Sequence, residues 1–272
     1  MECMSNHKLI ALDIDGTLAG TDKTISERNI NVLDEAQSKG IKVALVSGRP
    51  CYGIWPTARR IHLDKWGGYM LSFNGGKIMD CKNNNCMYEQ VLSHSDLSEI
   101  CKEVAEYGLN AITYADDVLI SDNASNKYVQ KESSINKMPV CQVDDLVSAT
   151  DFPTPKCLVV GEPEVLEKVE KDMYKRFPNL SVFRSEPYFL EFMPKGVDKA
   201  YSLAVLLDKL NMCPSQLLSC GDGFNDLSMI KYAGMGVAMQ NAQQVVKDAA
   251  NYVCPYTNDE DAVAFVIEKY VL

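Results

Sequence analysis

The chain has 272 residues, of which 46% are hydrophobic and 24% are charged, a composition typical of a globular protein with a sizeable core. The formal net charge of −10, with no run of Lys or Arg, argues against a nucleic-acid backbone as partner. The N-terminus lacks the apolar core of a signal peptide and no apolar run approaches the ~18 residues of a membrane span, so we expect a cytoplasmic protein with no membrane partner.

The first third of the chain alternates predicted strands and helices. Apolar runs predict strands at 8–14, 41–46 and 69–73, and a helix cap at Ser26 introduces helical spacing that ends near Gly40. Strands separated by helices indicate βαβ units, a parallel sheet and right-handed crossovers. The first strand is continuously apolar, as in a parallel sheet covered on both faces.

The middle of the chain has a different pattern. Residues 76–92 predict a hairpin around an Asn-rich turn, and a helix at 95–107 and two short strands follow. After a polar, irregular stretch come a strand, a helix at 163–176 and two more strands, and from about 195 the alternation of helix and strand returns. We therefore predict an α/β protein with a Rossmann-like parallel-sheet core, residues 1–80 and 187–272, that carries an inserted α+β domain at 81–186.

Two aspartates separated by one residue end the first predicted strand. Because side chains alternate along a strand, Asp13 and Asp15 would project to the same side. Two carboxylates so close repel each other unless a cation lies between them. An Asp-Gly turn at Asp15-Gly16 would explain Asp15 but not Asp13. Two interpretations of this stretch, a simple turn and a functional site, therefore remain open at this point.

Three other places could accompany these aspartates. Ser47 follows the second strand, Lys199 begins a predicted helix, and an apolar strand runs into Asp222, as the first strand runs into Asp13. Each also has a plainer interpretation. Ser47 could belong to an ordinary loop, and the Lys199 side chain could be solvated. The Asn225-Asp226 pair could do no more than cap a helix. In parallel sheets, however, ligands bind at the carboxyl ends of strands, where Asp13, Asp15, Ser47 and Asn74 fall.

Taken together and in this order, "DIDGT", "SGR", the Lys199 helix and "GDGFND" resemble the four motifs of the haloacid dehalogenase (HAD) superfamily of phosphotransferases. The insert resembles the larger α/β (type C2B) cap of subfamily IIB, the Cof-type sugar-phosphate phosphatases. "FNGGKIM" and "GVAMQNA" resemble flanking sequence of that group. Gln240 and Ala262 stand where the family commonly has glycine, and neither position belongs to the four motifs.

The resemblance implies a phosphatase that works through an aspartyl-phosphate. Asp13 would be the nucleophile, and Asp15 would protonate the leaving alkoxide and then activate the water that hydrolyses the intermediate. A neutral Asp15 beside an ionised Asp13 is expected because close carboxylates push their pKa values apart.

The same resemblance assigns the remaining site residues. Mg²⁺ would be bound by the Asp13 and Asp222 carboxylates and the Asp15 backbone carbonyl, with Asp226 orienting Lys199 or bound water. Lys199 would act with the two catalytic aspartates by offsetting phosphoryl charge. The expected phosphate contacts are Thr17, Ser47, Gly48 and Asn225.

The sequence is also compatible with two other kinds of protein: a phosphomutase of the phosphomannomutase type, and a non-catalytic protein that binds phosphorylated metabolites. The compact "GDGFND" favours hydrolysis over the mutase, whose fourth motif is longer, and the presence of all four motifs disfavours the binding protein. We expect a small phosphorylated metabolite as substrate, most of all a sugar phosphate. Candidate contacts are Asn74 and, in the insert, Tyr114, Asp116 and Asp117, although a plain loop explains the last three better. The sequence does not indicate the oligomeric state.

Overall fold

The apolar runs of the sequence become the strands of two sheets in the computed structural model, which describes residues 7–115 and 117–272. The strands are β1 Leu9–Leu12, β2 Lys42–Val46, β3 Tyr69–Ser72, β4 Lys77–Asp80, β5 Asn85–Glu89, β6 Asn110–Tyr114, β7 Leu119–Ser121, β8 Val140–Gln142, β9 Cys157–Val160, β10 Leu180–Glu186, β11 Phe189–Pro194, β12 Leu217–Gly221, β13 Met235–Ala238 and β14 Tyr252–Val253. The α-helices are α1 Glu27–Ser38, α2 Cys51–Arg60, α3 Leu63–Trp66, α4 His94–Ala105, α5 Lys127–Asn136, α6 Pro163–Arg176, α7 Lys199–Lys209, α8 Leu227–Tyr232, α9 Gln244–Ala249 and α10 Ala262–Tyr270.

The chain divides into two compact units. The first comprises the described residues up to Gly48, Ile54–Tyr88 and Asp198–Leu272. The second comprises Arg49–Gly53 and Glu89–Val197. The strand β11 pairs with β9 and β10, so the chain leaves the second unit after Val197, whereas we expected the boundary after Glu186.

The first unit is built on an eight-stranded sheet in the order β14-β13-β12-β1-β2-β3-β4-β5. Pairing is parallel from β14 to β3, and β4 adds to β3 in the antiparallel sense. Helices cover both faces of β1: Ile10 and Leu12 pack in one cluster with α1, α2 and α10, and Leu9 and Ala11 pack in another with α7 and α8. This two-sided burial explains the continuously apolar strand and confirms the predicted α/β parallel-sheet fold.

The second unit is built on a mixed sheet in the order β10-β11-β9-β6-β7-β8. Its pairs are antiparallel except for β7 with β8. Helices α4 and α6 pack on one face of this sheet, against residues that include Val159, Leu190 and Phe192. The stretch that we expected to be polar and irregular contains the helix α5 and the strand β8, and so that expectation is wrong. None of the helices within the described ranges combines the length and apolar character needed to span a bilayer.

Candidate active site

A buried lysine joins two aspartates that follow different strands of the first sheet. Lys199 is the first residue of α7, whose N-cap Asp198 accepts a hydrogen bond from the Tyr201 backbone N–H. The Lys199 side chain is fully buried, and its Nζ donates to Asp13 Oδ1 at 2.7 Å and to Asp226 Oδ1 at 2.5 Å. Asp13 follows β1 and is 6% exposed. The solvated lysine that the sequence left open is therefore excluded.

Both oxygens of the Asp226 carboxylate are occupied. While Oδ1 accepts from Lys199, Oδ2 accepts from the backbone N–H groups of Asp222 at 2.9 Å and Gly223 at 2.8 Å. A Cβ on Gly221 would lie 2.5 Å from the Asp226 Cβ, so glycine is needed where β12 approaches this side chain. Asp226 thus ties the loop after β12 to the first turn of α7.

Asp222 completes a group of three carboxylates. One oxygen of each of Asp13, Asp222 and Asp226 lies within 4.8 Å of the others. Thr17 is buried, and its hydroxyl donates to Asp222 Oδ1 at 2.9 Å. Gly16 has a φ of +85°, and a Cβ there would lie 2.4 Å from Asp222 Oδ2, so the loop after β1 can approach Asp222 only with glycine.

Burial and the neighbouring charged groups together shift the pKa values of this group. Burial and the nearby Asp226 raise the pKa of Asp13 to about 8, against the opposing effect of Lys199. Burial also raises the pKa of Asp222 to about 6, although the Thr17 hydrogen bond opposes the change. Burial alone would lower the pKa of Lys199, but the carboxylates of Asp13 and Asp226 outweigh it and raise that pKa.

Asp15 lies in a turn and not in the strand. The strand β1 ends at Leu12, and the chain turns with backbone hydrogen bonds from Leu18 to Asp13 and from Ala19 to Ile14. The expected strand at 8–14 is therefore too long, and the alternation argument does not extend to these aspartates. The Asp15 carboxylate is half-buried and lies 3.0 Å from Lys23 Nζ.

Four other predicted site residues lie close together in the loops after β2, β3 and β12: Ser47, Gly48, Asn74 and Asn225. The backbone of Ser47 donates to Leu71 and accepts from the Asn74 N–H, both at 2.9 Å. Asn74, with a φ of +52°, accepts a hydrogen bond from Asn225 Nδ2 at 3.2 Å. A Cβ on Gly48 would lie 3.2 Å from the Asn74 amide.

Sequence reasoning missed several of these contacts. It named Thr17 only as a phosphate contact and did not foresee the hydrogen bond from its hydroxyl to Asp222. Asn74 was only a candidate, and the Asn-Gly pair that it forms with Gly75 after a predicted strand is a turn signal that could have identified it. In the insert, Tyr114 is buried and donates to Glu132, Asp117 is exposed, and Asp116 lies outside the described residues.

Comparison with known proteins adds independent information. A family model described as haloacid dehalogenase-like hydrolase matches residues 10–267. The 5-amino-6-(5-phospho-D-ribitylamino)uracil phosphatase YcsE of Bacillus subtilis is 32% identical over 97% of this chain and 96% of its own length. A haloacid dehalogenase-like hydrolase from Bacteroides thetaiotaomicron has a similar structure, with a TM-score of 0.93 and 45% identity over 97% of this chain and 99% of that one. A Thermotoga maritima protein has a TM-score of 0.88 and 26% identity, covering 97% of each chain.

Proposed function

We propose a metal, a mechanism and a substrate class for this chain. The chain belongs to the haloacid dehalogenase-like hydrolases and is a phosphatase of that family. It would hydrolyse small phosphorylated metabolites, sugar phosphates above all, with Mg²⁺ and through an aspartyl-phosphate on Asp13. The residues of the first unit described above would form the catalytic core. The second unit would be the cap that selects the substrate.

One observation carries the proposal: Asp13 is a buried carboxylate that shares a fully buried lysine with Asp226. A carboxylate held in place in this way is suited to act as a nucleophile, because its position is set before the substrate binds. The ion pair engages Oδ1 of Asp13. The same ammonium group would offset the negative charge of a phosphoryl group bound beside Asp13.

The carboxylate group also fits Mg²⁺. Three carboxylates lie together with one ammonium group, so the group carries more negative than positive charge, and a divalent cation would offset the difference. All donors are oxygens, which hard divalent cations prefer. Since both Asp226 oxygens are already occupied, Asp13, Asp222 and the Asp15 carbonyl would hold the ion, and Asp226 would position Lys199. When bound, Mg²⁺ would neutralise phosphoryl charge.

The chemistry would then proceed in two steps. A carboxylate oxygen of Asp13 attacks phosphorus, the bond from phosphorus to the ester oxygen breaks, and Asp15 donates a proton to the leaving alkoxide. Asp15 next takes a proton from a water molecule that attacks the aspartyl-phosphate, which releases inorganic phosphate and restores the Asp13 carboxylate. Backbone and side-chain donors at Ser47, Gly48, Thr17 and Asn225 would hold the phosphoryl oxygens.

The substrate proposal is supported by a relative whose name gives its substrate. That B. subtilis enzyme is named as a phosphatase of a phosphoribitylamino-uracil, in which the phosphate is carried by a sugar alcohol. A phosphate on a polyhydroxylated carbon chain would therefore be the substrate class to test first in this protein.

The test is release of inorganic phosphate from a panel of phosphorylated metabolites, with Mg²⁺ and with a chelator, by the wild type and by Asp13→Asn. We expect release that needs Mg²⁺ and falls by at least about 10³-fold in Asp13→Asn, because the nucleophile is lost. Arg28→Gln, which alters an exposed ion pair with Glu268, is the control and should keep the activity. Conversion of a hexose 1-phosphate to its 6-phosphate without phosphate release would instead identify a mutase.

A further inference from the structure

The loop that follows β13, residues 239–243, contacts both of the loops that carry the proposed Mg²⁺ ligands. The Gln243 backbone N–H donates to the Asp222 carbonyl at 3.0 Å. The Asn241 side chain donates through Nδ2 to the Gly16 carbonyl at 2.8 Å. All these residues belong to the first unit. The end of the "GVAMQNA" stretch, which the four motifs do not include, therefore links the loop after β1 to the loop after β12.

A second asparagine, Asn258, contacts the far end of the loop after β1. Its backbone N–H donates to Asn241 Oδ1 at 3.0 Å, and its side-chain Nδ2 donates to the Ala19 carbonyl at 2.9 Å. We call Asn241 and Asn258 the asparagine pair. The pair holds the loop at two points, Gly16 and Ala19, and its members are hydrogen-bonded to each other. In sequence these contacts span 225 and 239 positions.

The side-chain amide of Asn241 has one favourable orientation. Its Nδ2 faces the Gly16 carbonyl, which only accepts hydrogen bonds, and its Oδ1 faces the Asn258 backbone N–H, which only donates. Exchange of the amide oxygen and nitrogen would lose both hydrogen bonds. An aspartate side chain has no donor for Gly16, and an aliphatic side chain has neither group. The two contacts together therefore require an amide at this position.

The Gly16 carbonyl is a point where a contact affects the site on both sides. Gly16 has a φ of +85° and no side chain, so its backbone can adopt many other conformations. Before it comes Asp15, whose carbonyl is a proposed Mg²⁺ ligand, and after it comes Thr17, whose hydroxyl donates to Asp222. A hydrogen bond to the Gly16 carbonyl fixes the peptide plane between Gly16 and Thr17. It therefore restricts the rotation that would move both neighbours.

We propose that Asn241 and Asn258 are positioning residues, which hold the loop after β1 in the conformation that presents the Asp15 carbonyl to Mg²⁺. This inference rests on the proposed function and adds two residues from outside the four motifs. The asparagine pair acts through the backbone of Gly16 and Ala19. Because Asn241 is exposed and Asn258 is half-buried, water can replace their hydrogen bonds. Loss of the pair should therefore change the geometry of the site more than the stability of the fold.

The first test is calorimetric Mg²⁺ binding in the absence of substrate. We expect the Mg²⁺ affinity to fall about tenfold in Asn241→Ala, because the contact with Gly16 is lost. It should fall by a smaller factor in Asn258→Ala, whose backbone N–H can still donate to Asn241. The double variant should lose less than the product of the two single effects, because the two side chains act in one connected network.

Phosphate release from p-nitrophenyl phosphate separates positioning from a general loss of structure. In Asn241→Ala, the Mg²⁺ concentration at half-maximal rate should rise about tenfold. At saturating Mg²⁺, kcat should return to within about twofold of the wild-type value, because mass action offsets the weaker binding. A kcat that stays low at saturating Mg²⁺, together with an unchanged Mg²⁺ affinity, would overturn the inference.

Asn251 provides a matched control. It is exposed like Asn241, and its Oδ1 accepts from the Gly236 backbone N–H at 2.7 Å. Gly236 lies in β13, before the loop 239–243, and both control residues belong to the first unit. Asn251→Ala therefore removes a similar hydrogen bond that does not involve the loops after β1 and β12, and it should keep the wild-type Mg²⁺ affinity. An equal loss of affinity in Asn251→Ala and Asn241→Ala would contradict the inference.

The outcome is separable from that of the proposed function. If the wild type binds Mg²⁺ and releases phosphate but Asn241→Ala binds Mg²⁺ equally well, the proposed function stands and this inference fails. If the wild type neither binds Mg²⁺ nor releases phosphate, the proposed function fails. In that case hydrogen–deuterium exchange of the amides at 14–19 still measures the restraint on the loop. Exchange that is faster in Asn241→Ala than in Asn251→Ala would support the positioning role, and equal exchange would overturn it.

Discussion

The ammonium group of Lys199 lies 2.5 Å from a carboxylate oxygen of Asp226, and both side chains are buried. The other Asp226 oxygen accepts two backbone N–H groups from the loop that carries Asp222. One carboxylate therefore orients the lysine of one motif and the aspartate of another. Because these contacts are shielded from water, loss of the Asp226 carboxylate takes an acceptor from two backbone N–H groups and leaves Asp13 as the carboxylate that still pairs with Lys199.

From this relationship we expect Asp226→Asn to lower the free energy of unfolding by about 3 kcal/mol and kcat/KM by at least about tenfold. The amide has one acceptor oxygen in place of two, so its NH₂ group must face either Lys199 or the two backbone N–H groups, which are all donors. Urea denaturation and initial-rate kinetics measure the two effects. Glu268→Gln, which breaks the exposed 2.8 Å pair with Arg28, should cost less than about 1 kcal/mol. Equal losses in the two variants would show that the buried pair has no special role.

Gly16 allows the loop after β1 to approach Asp222, and Gly16→Ala should therefore reduce activity as well as stability. A control is available in Gly40, whose φ of +86° matches the +85° of Gly16 but whose Cβ would have no atom within 4 Å. Gly40→Ala reports the cost of the backbone conformation alone, about 1 kcal/mol. Gly16→Ala should cost more and should lower phosphate release. Unchanged phosphate release in Gly16→Ala would contradict the proposed role of Asp222.

Thr17 orients Asp222 through its hydroxyl, so Thr17→Val should weaken Mg²⁺ binding about tenfold at nearly constant side-chain volume. The measurement is the Mg²⁺ concentration at half-maximal phosphate release, together with calorimetric Mg²⁺ binding. Thr21 donates to Asp259 at 2.7 Å in a similar pair at the surface, and Thr21→Val should leave both values unchanged. A shift of the same size in both variants would mean that the Thr17 hydrogen bond does not act through the metal site.

Tyr114 should make stability fall at alkaline pH. Burial and the carboxylates of Glu132 and Glu191 raise its pKa well above the ordinary value of 10.0, and Lys156 lies near its ring. The unfolded state therefore releases the phenol proton at about pH 10 while the folded state keeps it. The unfolding free energy should then decline above pH 10 by up to about 1.4 kcal/mol per pH unit for this group, with no effect at lower pH.

The measurement for this prediction is urea denaturation from pH 8 to pH 11.5. Tyr114→Phe should flatten the decline above pH 10, because no proton is released on unfolding at that position. Tyr174, which is 67% exposed, provides the control, and Tyr174→Phe should leave the slope as in the wild type. Identical slopes for the wild type and Tyr114→Phe would rule out the buried phenol as the cause.

Secondary structure was predictable where apolar periodicity is strong. The helix at Pro163–Arg176 has the predicted bounds, and Ser26 caps α1 by accepting from the Asn29 N–H at 3.1 Å. The helix α5 was missed because Lys127–Asn136 carries few apolar side chains, and only Val129 among them is a buried hydrophobic residue. Such a helix depends on tertiary contacts rather than on its own pattern.

The family, the α/β sheet and the placement of Asp13, Ser47 and Asp222 after strands could be predicted from the sequence, because residue type, order and periodicity are local properties of the chain. Tertiary structure alone decided which atoms meet: that Thr17 holds Asp222 across 205 positions, and that Asp226 uses both oxygens on Lys199 and the backbone. It also decided that Asn241 and Asn258 contact the loop after β1. These contacts depend on strand register and on the close approach of buried elements, which no local pattern encodes.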